Sequence, residues 1–345
     1  MFLRKVVFML SALFFVFVFI GSVDQEQAAA KKQKSKELEI IMASYIPPQA
    51  YKDLTPMVMS FPDYVNEHGK GIAHIEYYHS GKLLKAKQLL PGLMQGTADI
   101  VLHTSSYISS TYPILGILEL PFLYTDMEKG WEKLTVGSPL FNLINEELAK
   151  KNIYMISTIP PIPEYIWTKD RPMKKPDDIK GLRIRTAGRI EGKMIQAIGG
   201  ASTTMPSAEL YEGIARGTID GVMCYLGTIL ARGLHEKLGY VTTGYFASYG
   251  GPILIRLDKW KSLPPDVREL LSAAGKHYEK QIPEYAQQYW EKNIWPSLRK
   301  AGIKEVKLTN KEIEAFQEKA KPIWDWWKEQ LPPGVGEKAI RLATE

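Results

Sequence analysis

Three short runs decide the reading of the fold: Leu38-Glu39-Ile40-Ile41-Met42-Ala43, Ala73-His74-Ile75-Glu76-Tyr77-Tyr78 and Ala98-Asp99-Ile100-Val101-Leu102-His103. Each is too short and too apolar or alternating for a surface helix, and each reads as a strand. Between them lie Thr55 to His68, with helical spacing, and Gly81 to Gln95, helical but interrupted by Pro91. Strand, helix, strand, helix, strand predicts a parallel α/β layer. The pattern restarts after residue 130. Gly130 to Lys150 reads as a helix and Tyr154 to Ile159 as a strand. Pro160-Pro161-Ile162-Pro163 is too proline-rich for a sheet interior. Residues 158–165 therefore predict a first crossing between two lobes, and the extended run Tyr240 to Arg256 around Gly250-Gly251 predicts a second.

Within the second lobe, strands are expected at Tyr165 to Lys169, Lys180 to Arg185 and Ile219 to Cys224. Helices are expected at Arg189 to Ile198, Ser207 to Arg216 and Leu226 to Lys237. The last third is helical. Pro265 to Leu298 should kink at Pro283 and Pro296, and Thr309 with Glu312 forms a capping box opening the last long helix. Trp324, Trp326 and Trp327 in that helix read as pins onto a lobe rather than as a stacking platform. The expectation is an α/β, two-lobed binding-protein fold with crossing hinge strands and a long C-terminal helix. Lobe 1 is assigned 38–160 plus about 248–282, and lobe 2 161–247 plus about 283–345. A chain of 345 residues is long enough for two such units.

The N-terminus reads as an export signal. Arg4 and Lys5 precede the apolar run Val6 to Val23, and Gln27-Ala28-Ala29-Ala30 offers small residues for cleavage after Ala30. An uncleaved membrane anchor is the alternative, since the run is about as long as the shortest spanning helices. Residues 31–37 form a charged lead-in. Two basic and two acidic residues leave with the signal, so the net charge of +6 is unchanged. The single cysteine, Cys224, excludes an intrachain disulfide framework and a cysteine zinc site. The six histidines show no metal-ligand spacing, and no nucleophile elbow, phosphate loop or dinucleotide fingerprint occurs. Asp177-Asp178 follows Pro176 and reads as a turn. No basic stripe points to nucleic acid. The chain is therefore expected to be no enzyme and to need no cofactor.

One segment carries chemistry. Lys175-Pro176-Asp177-Asp178-Ile179-Lys180-Gly181-Leu182-Arg183-Ile184-Arg185 runs from a turn into a strand, so Arg183 and Arg185 share a face. At a strand end beside an interlobe cleft, one guanidinium could grip a carboxylate with its planar fork. A solvated arginine with a structural ion pair is the alternative.

The ordered landmarks resemble a family. Gly81-Lys82-Leu83 precedes Gly96-Thr97-Ala98-Asp99-Ile100. Leu120-Pro121-Phe122-Leu123-Tyr124 follows, then the segment ending at Arg185. Last come Met205-Pro206, Glu209-Leu210-Tyr211 and Gly217-Thr218-Ile219-Asp220-Gly221-Val222. Together they resemble the DctP-type solute-binding proteins of TRAP (tripartite ATP-independent periplasmic) transporters, over about Leu38 to Trp327. The resemblance implies a periplasmic receptor for a small organic acid, acting as a monomer with small and large TRAP membrane subunits as partners. It assigns the carboxylate clamp to Arg185. Four positions depart from the family pattern: Glu164 stands where many relatives have a second arginine, Ala86 where many have glutamate, Cys224 for a polar residue and Ser207 for an aromatic. If Glu164 faces the ligand, a monocarboxylate with a hydroxyl, amine or amide donor fits better than a dianion. If it pairs with Arg185 or points away, no such preference follows. Tyr225, Tyr165, Tyr45 and Ser44 are further cleft candidates. A receptor for an ATP-driven importer or sensor, and an exported α/β enzyme, are the rival readings.

Overall fold

The computed structural model describes residues 37–345, with the side chains of 283 and 284 outside the description. The export signal and most of the charged lead-in lie outside the described residues. Among the described residues, eleven strands form two sheets, one per lobe. The first contains β1 (Leu38–Ser44), β2 (Ala73–Tyr78), β3 (Ile100–Leu102), β4 (Ile153–Ser157) and β10 (Ile253–Arg256), in the order β2-β1-β3-β10-β4. The second contains β5 (Ile162–Thr168), β6 (Arg183–Thr186), β7 (Ala201–Thr204), β8 (Gly221–Tyr225), β9 (Tyr240–Tyr249) and β11 (Lys304–Lys307), in the order β11-β9-β5-β8-β6-β7.

The parallel layer expected from the opening runs is present: β1 pairs in parallel with both β2 and β3. The chain leaves the first sheet after Ser157, enters the second at Ile162, leaves it at Tyr249 and re-enters the first at Ile253. β10 is therefore antiparallel to its neighbours β3 and β4. Pro163 is tolerated because it precedes the β8 ladder: β5 pairs with β8 only from Glu164 onward, while Pro163 faces Ser248 of β9.

Several helices are shorter than their patterns indicate. Met127–Leu134 and Pro139–Ala149 are separate helices around Gly137, whose φ of 91° breaks the α-helical path. Pro91 sits in the first turn of Leu89–Gln95, where its missing N–H costs no bond. From Pro265 to Lys300 the chain is helical for most of its length, with π-helical segments at Ile282–Ala286 and Trp290–Ile294 near the two prolines expected to kink it. This run starts against the helix Thr55–His68, and near its end Trp295 lies against Tyr165 of β5 in the second sheet, so it is a third link between lobes. The capping box at Thr309 and Glu312 opens the helix Asn310–Lys328 as expected. Its Trp324 and Trp327 indoles donate to the carbonyls of Pro121 and Pro113, and the same helix packs on Arg189–Ala197. Among the described residues, no helix is long and apolar enough to cross a membrane.

Candidate functional site

The parallel strands of both sheets end toward one cavity. In open α/β layers, loops beyond the carboxyl ends of parallel strands are free of sheet pairing and can face a ligand. Here β1 delivers Tyr45, β3 leads to Thr104 and Tyr107, β6 carries Arg185, and β8 ends in Cys224 and Tyr225. Glu164 from β5, Ser207 and Tyr249 complete much of the wall. The free space in the cavity is small, about 30 Å³, well below the roughly 300–1,000 Å³ of most small-molecule sites.

Arg185 is 2% exposed. Its Nε donates to the Met205 carbonyl at 2.9 Å, Nη1 to the Met223 carbonyl at 3.3 Å and Nη2 to the Tyr107 hydroxyl at 3.4 Å. A guanidinium has five N–H groups. Three are engaged, so each terminal nitrogen keeps one, and no carboxylate among the described residues is hydrogen-bonded to it. Burial works against its charge; Tyr107, Glu191, Cys224 and Glu164 around it offset that and leave its pKa above the ordinary arginine value. Arg183, two residues earlier on the same face, is spent on an ion pair. It makes a two-pronged contact with Asp220, at 2.9 and 2.8 Å.

Glu164 is 3% exposed and lines the cavity. Burial raises its carboxyl well above the usual range, Glu191 adds to the rise and Arg185 opposes it. The Tyr225 ring stacks between Tyr51 and Tyr249, at centroid distances of 6.2 and 5.3 Å, and its buried hydroxyl has no partner among the described residues. The Tyr45 hydroxyl meets Thr104 Oγ1 at 2.5 Å. Cys224 is buried in the wall, and burial raises its thiol above the usual range while Arg185 opposes the rise.

Six of the eight expected site residues converge here: Arg185, Glu164, Tyr225, Cys224, Ser207 and Tyr45. Two do not. Tyr165 follows Glu164 on the same strand, so alternation turns it to the opposite face, against Trp167 and Trp295. Ser44 is buried at the end of β1, its Oγ accepting the Ile46 N–H at 3.1 Å. Sequence reasoning missed Tyr51, Thr104, Tyr107, Thr228 and Tyr249. Thr104 and Tyr107 were accessible to the strand-end rule, since they follow β3 directly. It also missed Arg232, whose Nε donates to the Tyr51 hydroxyl at 3.1 Å and Nη2 to Ser207 Oγ at 3.1 Å.

A two-lobed α/β protein with a buried arginine at the cleft is a solute-binding receptor in outline, and comparison with known proteins makes the class specific. The sequence profile of bacterial extracellular solute-binding protein family 7, DctP, matches residues 50–330, and the chain belongs to that family, the solute receptors of TRAP transporters. A solute-binding protein of Albidiferax ferrireducens is 27% identical over 301 residues, covering 84% of this chain and 85% of the relative. Among solved structures, a TRAP periplasmic solute-binding protein from Rhodoferax ferrireducens with bound malonate superposes with a TM-score of 0.79 at 24% identity, covering 88% of this chain and 96% of the other. The Bordetella pertussis extracytoplasmic solute receptor DctP7, binding pyroglutamic acid, superposes with a TM-score of 0.76 at 20% identity, covering 89% and 99%. These relatives are receptors rather than enzymes, and the family's role is to deliver solute to a membrane permease.

Proposed function

We propose that this receptor captures a small organic monocarboxylate carrying a hydroxyl, amine or amide, clamps its carboxylate on Arg185, and delivers it in the periplasm to the small and large subunits of a TRAP permease. The observation that carries the reading is the Arg185 fork: a buried guanidinium with one free N–H on each terminal nitrogen beside the cavity. Carboxylates satisfy such a fork with two parallel bonds. Tyr225 and Glu164 offer polar atoms for the rest of a small ligand. The pyroglutamate-binding relative supports the monocarboxylate class. The two lobes meet around the ligand, divided as 38–160 with about 248–282 and 161–247 with about 283–345; sheet membership supports the division of the strands, while the helix Val335–Thr344 packs on Met127–Leu134 and Pro139–Ala149 and so sits with the first lobe.

A dicarboxylate is the second reading. It is favoured by Arg232, which reaches the cavity wall at Ser207, and by the malonate-bound relative. Thermal-shift titration against malonate, succinate, L-lactate and L-pyroglutamate separates the two. Stabilisation by the monocarboxylates with donors is expected. A shift with the dicarboxylates alone moves the assignment to the second reading, and no shift with any organic acid in a wider panel removes the carboxylate function.

A further inference from the structure

Tyr107 and Ala187 separate the small Arg185 cavity from two larger grooves and line all three spaces. One groove has about 440 Å³ of free space and is polar. Both lobes build it: Ser106 and Ser110 follow β3, Arg189 and Lys193 stand on the helix Arg189–Ala197, and Thr204 ends β7. The other groove, of about 320 Å³, is walled mainly by apolar side chains such as Leu90, Met205 and Pro206, with Lys87 as its charged residue.

The two cations of the polar groove are held in place without being neutralised. Arg189 and Lys193 are four residues apart and share a face of the helix. Both lie over the Trp326 ring, the guanidinium carbon 4.7 Å and the ammonium 4.3 Å from its centroid. The negative face of the indole attracts each of them. Among the described residues, no carboxylate forms a salt bridge with either. Two neighbouring cations without a counter-ion, beside the Ser110 and Thr204 hydroxyls, favour an anion between them. Their relation to the clamp is fixed too. Arg185 ends its strand four residues before Arg189, and only the turn through Gly188 separates them. The first lobe closes on that turn: a Cβ at Gly188 would lie 2.3 Å from the Ser106 carbonyl oxygen. A ligand in the groove therefore reaches Arg185 only when the lobes part, and Arg189 and Lys193 stay beside Arg185 when they do.

We propose that the polar groove is an anion vestibule, in which Arg189 and Lys193 hold an organic carboxylate at the mouth of the cleft before Arg185 takes it over. The proposal rests on the carboxylate reading of the Arg185 site. Arg189 is exposed and Lys193 half-buried, so water and salt weaken their hold. Such a site acts on capture: it raises the local concentration of the anion and speeds association. The buried clamp acts on release. The apolar groove, with a single exposed ammonium, has no such part.

Stopped-flow measurement with L-pyroglutamate tests the route. At low ionic strength the double variant Arg189→Gln/Lys193→Gln should associate about fivefold more slowly than the wild type, with release unchanged. The difference should disappear at about 1 M salt, where screening acts within about 3 Å. Lys85→Gln/Lys87→Gln removes the same net charge beside the apolar groove and should slow association far less. Equal slowing in the two double variants would mean that net charge alone matters and would overturn the vestibule, as would a first variant that associates like the wild type. A second measurement does not depend on the ligand of the cavity. In Arg185→Gln, whose clamp is gone, sodium malonate should shift the Trp326 indole N–H signal in nitrogen-15 NMR in a saturable way, the signal being identified by its loss in Trp326→Phe. Sodium chloride at equal ionic strength should not shift it, and neither should malonate once Arg189→Gln/Lys193→Gln is added. Circular dichroism checks each fold, and the wild type takes the titration should Arg185→Gln not fold. No malonate shift, or one that chloride reproduces, overturns the vestibule. Failure of L-pyroglutamate to bind counts against the ligand class, and the malonate titration then decides the vestibule by itself.

Discussion

At the scale of the residue, Arg185 is held by what it does not need for the ligand. Backbone carbonyls of Met205 and Met223 fix the guanidinium without neutralising it. A carboxylate in the same place would have blocked the fork. Arg183 shows that alternative on the same strand, closed onto Asp220. Arg185→Ala is expected to cost about 2–5 kcal/mol of ligand binding. Arg185→Lys should recover only part of it, because an ammonium keeps the charge and loses the two-pronged geometry. Calorimetry with an acid found by thermal shift measures both variants, and circular dichroism checks the fold. Unchanged affinity in the alanine variant would remove Arg185 from the site. Arg185 was legible at the cavity because a strand end and a known motif coincide there. Tyr165 was placed by neighbourhood, and the parity of β5 turns it away from the cavity. Arg232 carried no local signal at all: it lies past a short helix, and only the folded chain brings it to Tyr51, far off in sequence.

At the scale of the element, the long helical run and the strand crossings were legible because prolines and glycines mark where regular structure must stop. β7 and β11 were not, since Ala201–Thr204 and Lys304–Lys307 are short and lack an apolar run. The joint between the helical run and the cleft was equally silent. There, buried Asp53 accepts the Trp290 indole N–H at 2.8 Å, and Gly227 leaves room for it: a Cβ at Gly227 would lie 2.1 Å from Asp53 Oδ2. Burial raises the Asp53 carboxyl from 3.8 to about 6, against the opposing hydrogen bonds from Trp290 and the local backbone. A raised carboxyl binds its proton more tightly folded than unfolded. Its contribution favours folding in acid and is lost as pH rises from 3.8 through about 6, by about 3 kcal/mol in all. Asp53→Asn keeps an acceptor for Trp290 and removes the titration. Urea unfolding at about pH 4 and about pH 7 should therefore show a smaller loss of stability in the variant than in the wild type. Equal losses would mean that Asp53 ionises in the folded protein as freely as in the unfolded chain.

At the scale of the whole molecule, the closure expected of the two lobes on a ligand depends on few contacts. Tyr107 of the first lobe accepts from Arg185 and from the Ser207 backbone N–H, both in the second. Arg232 of the second lobe reaches Tyr51 of the first, through a hydrogen bond and by lying over its ring, with the guanidinium carbon 5.2 Å from the centroid. Tyr51 in turn stacks on Tyr225 in the cavity wall. A ligand that touches these side chains favours the closed form only by contacts the open form lacks. Arg232 adds such a contact without lining the cavity, so its removal should act on the open–closed balance. Hydrogen bonds to charged groups are worth about 1.5–3 kcal/mol, so Arg232→Ala should weaken binding roughly tenfold or more, mainly through faster release with little change in association. Small-angle scattering should show a larger radius of gyration for the variant than for the wild type at equal, subsaturating ligand. Release and scattering that both match the wild type would show that Arg232 does not hold the lobes together, and that the Tyr107 contacts with the ligand suffice for closure.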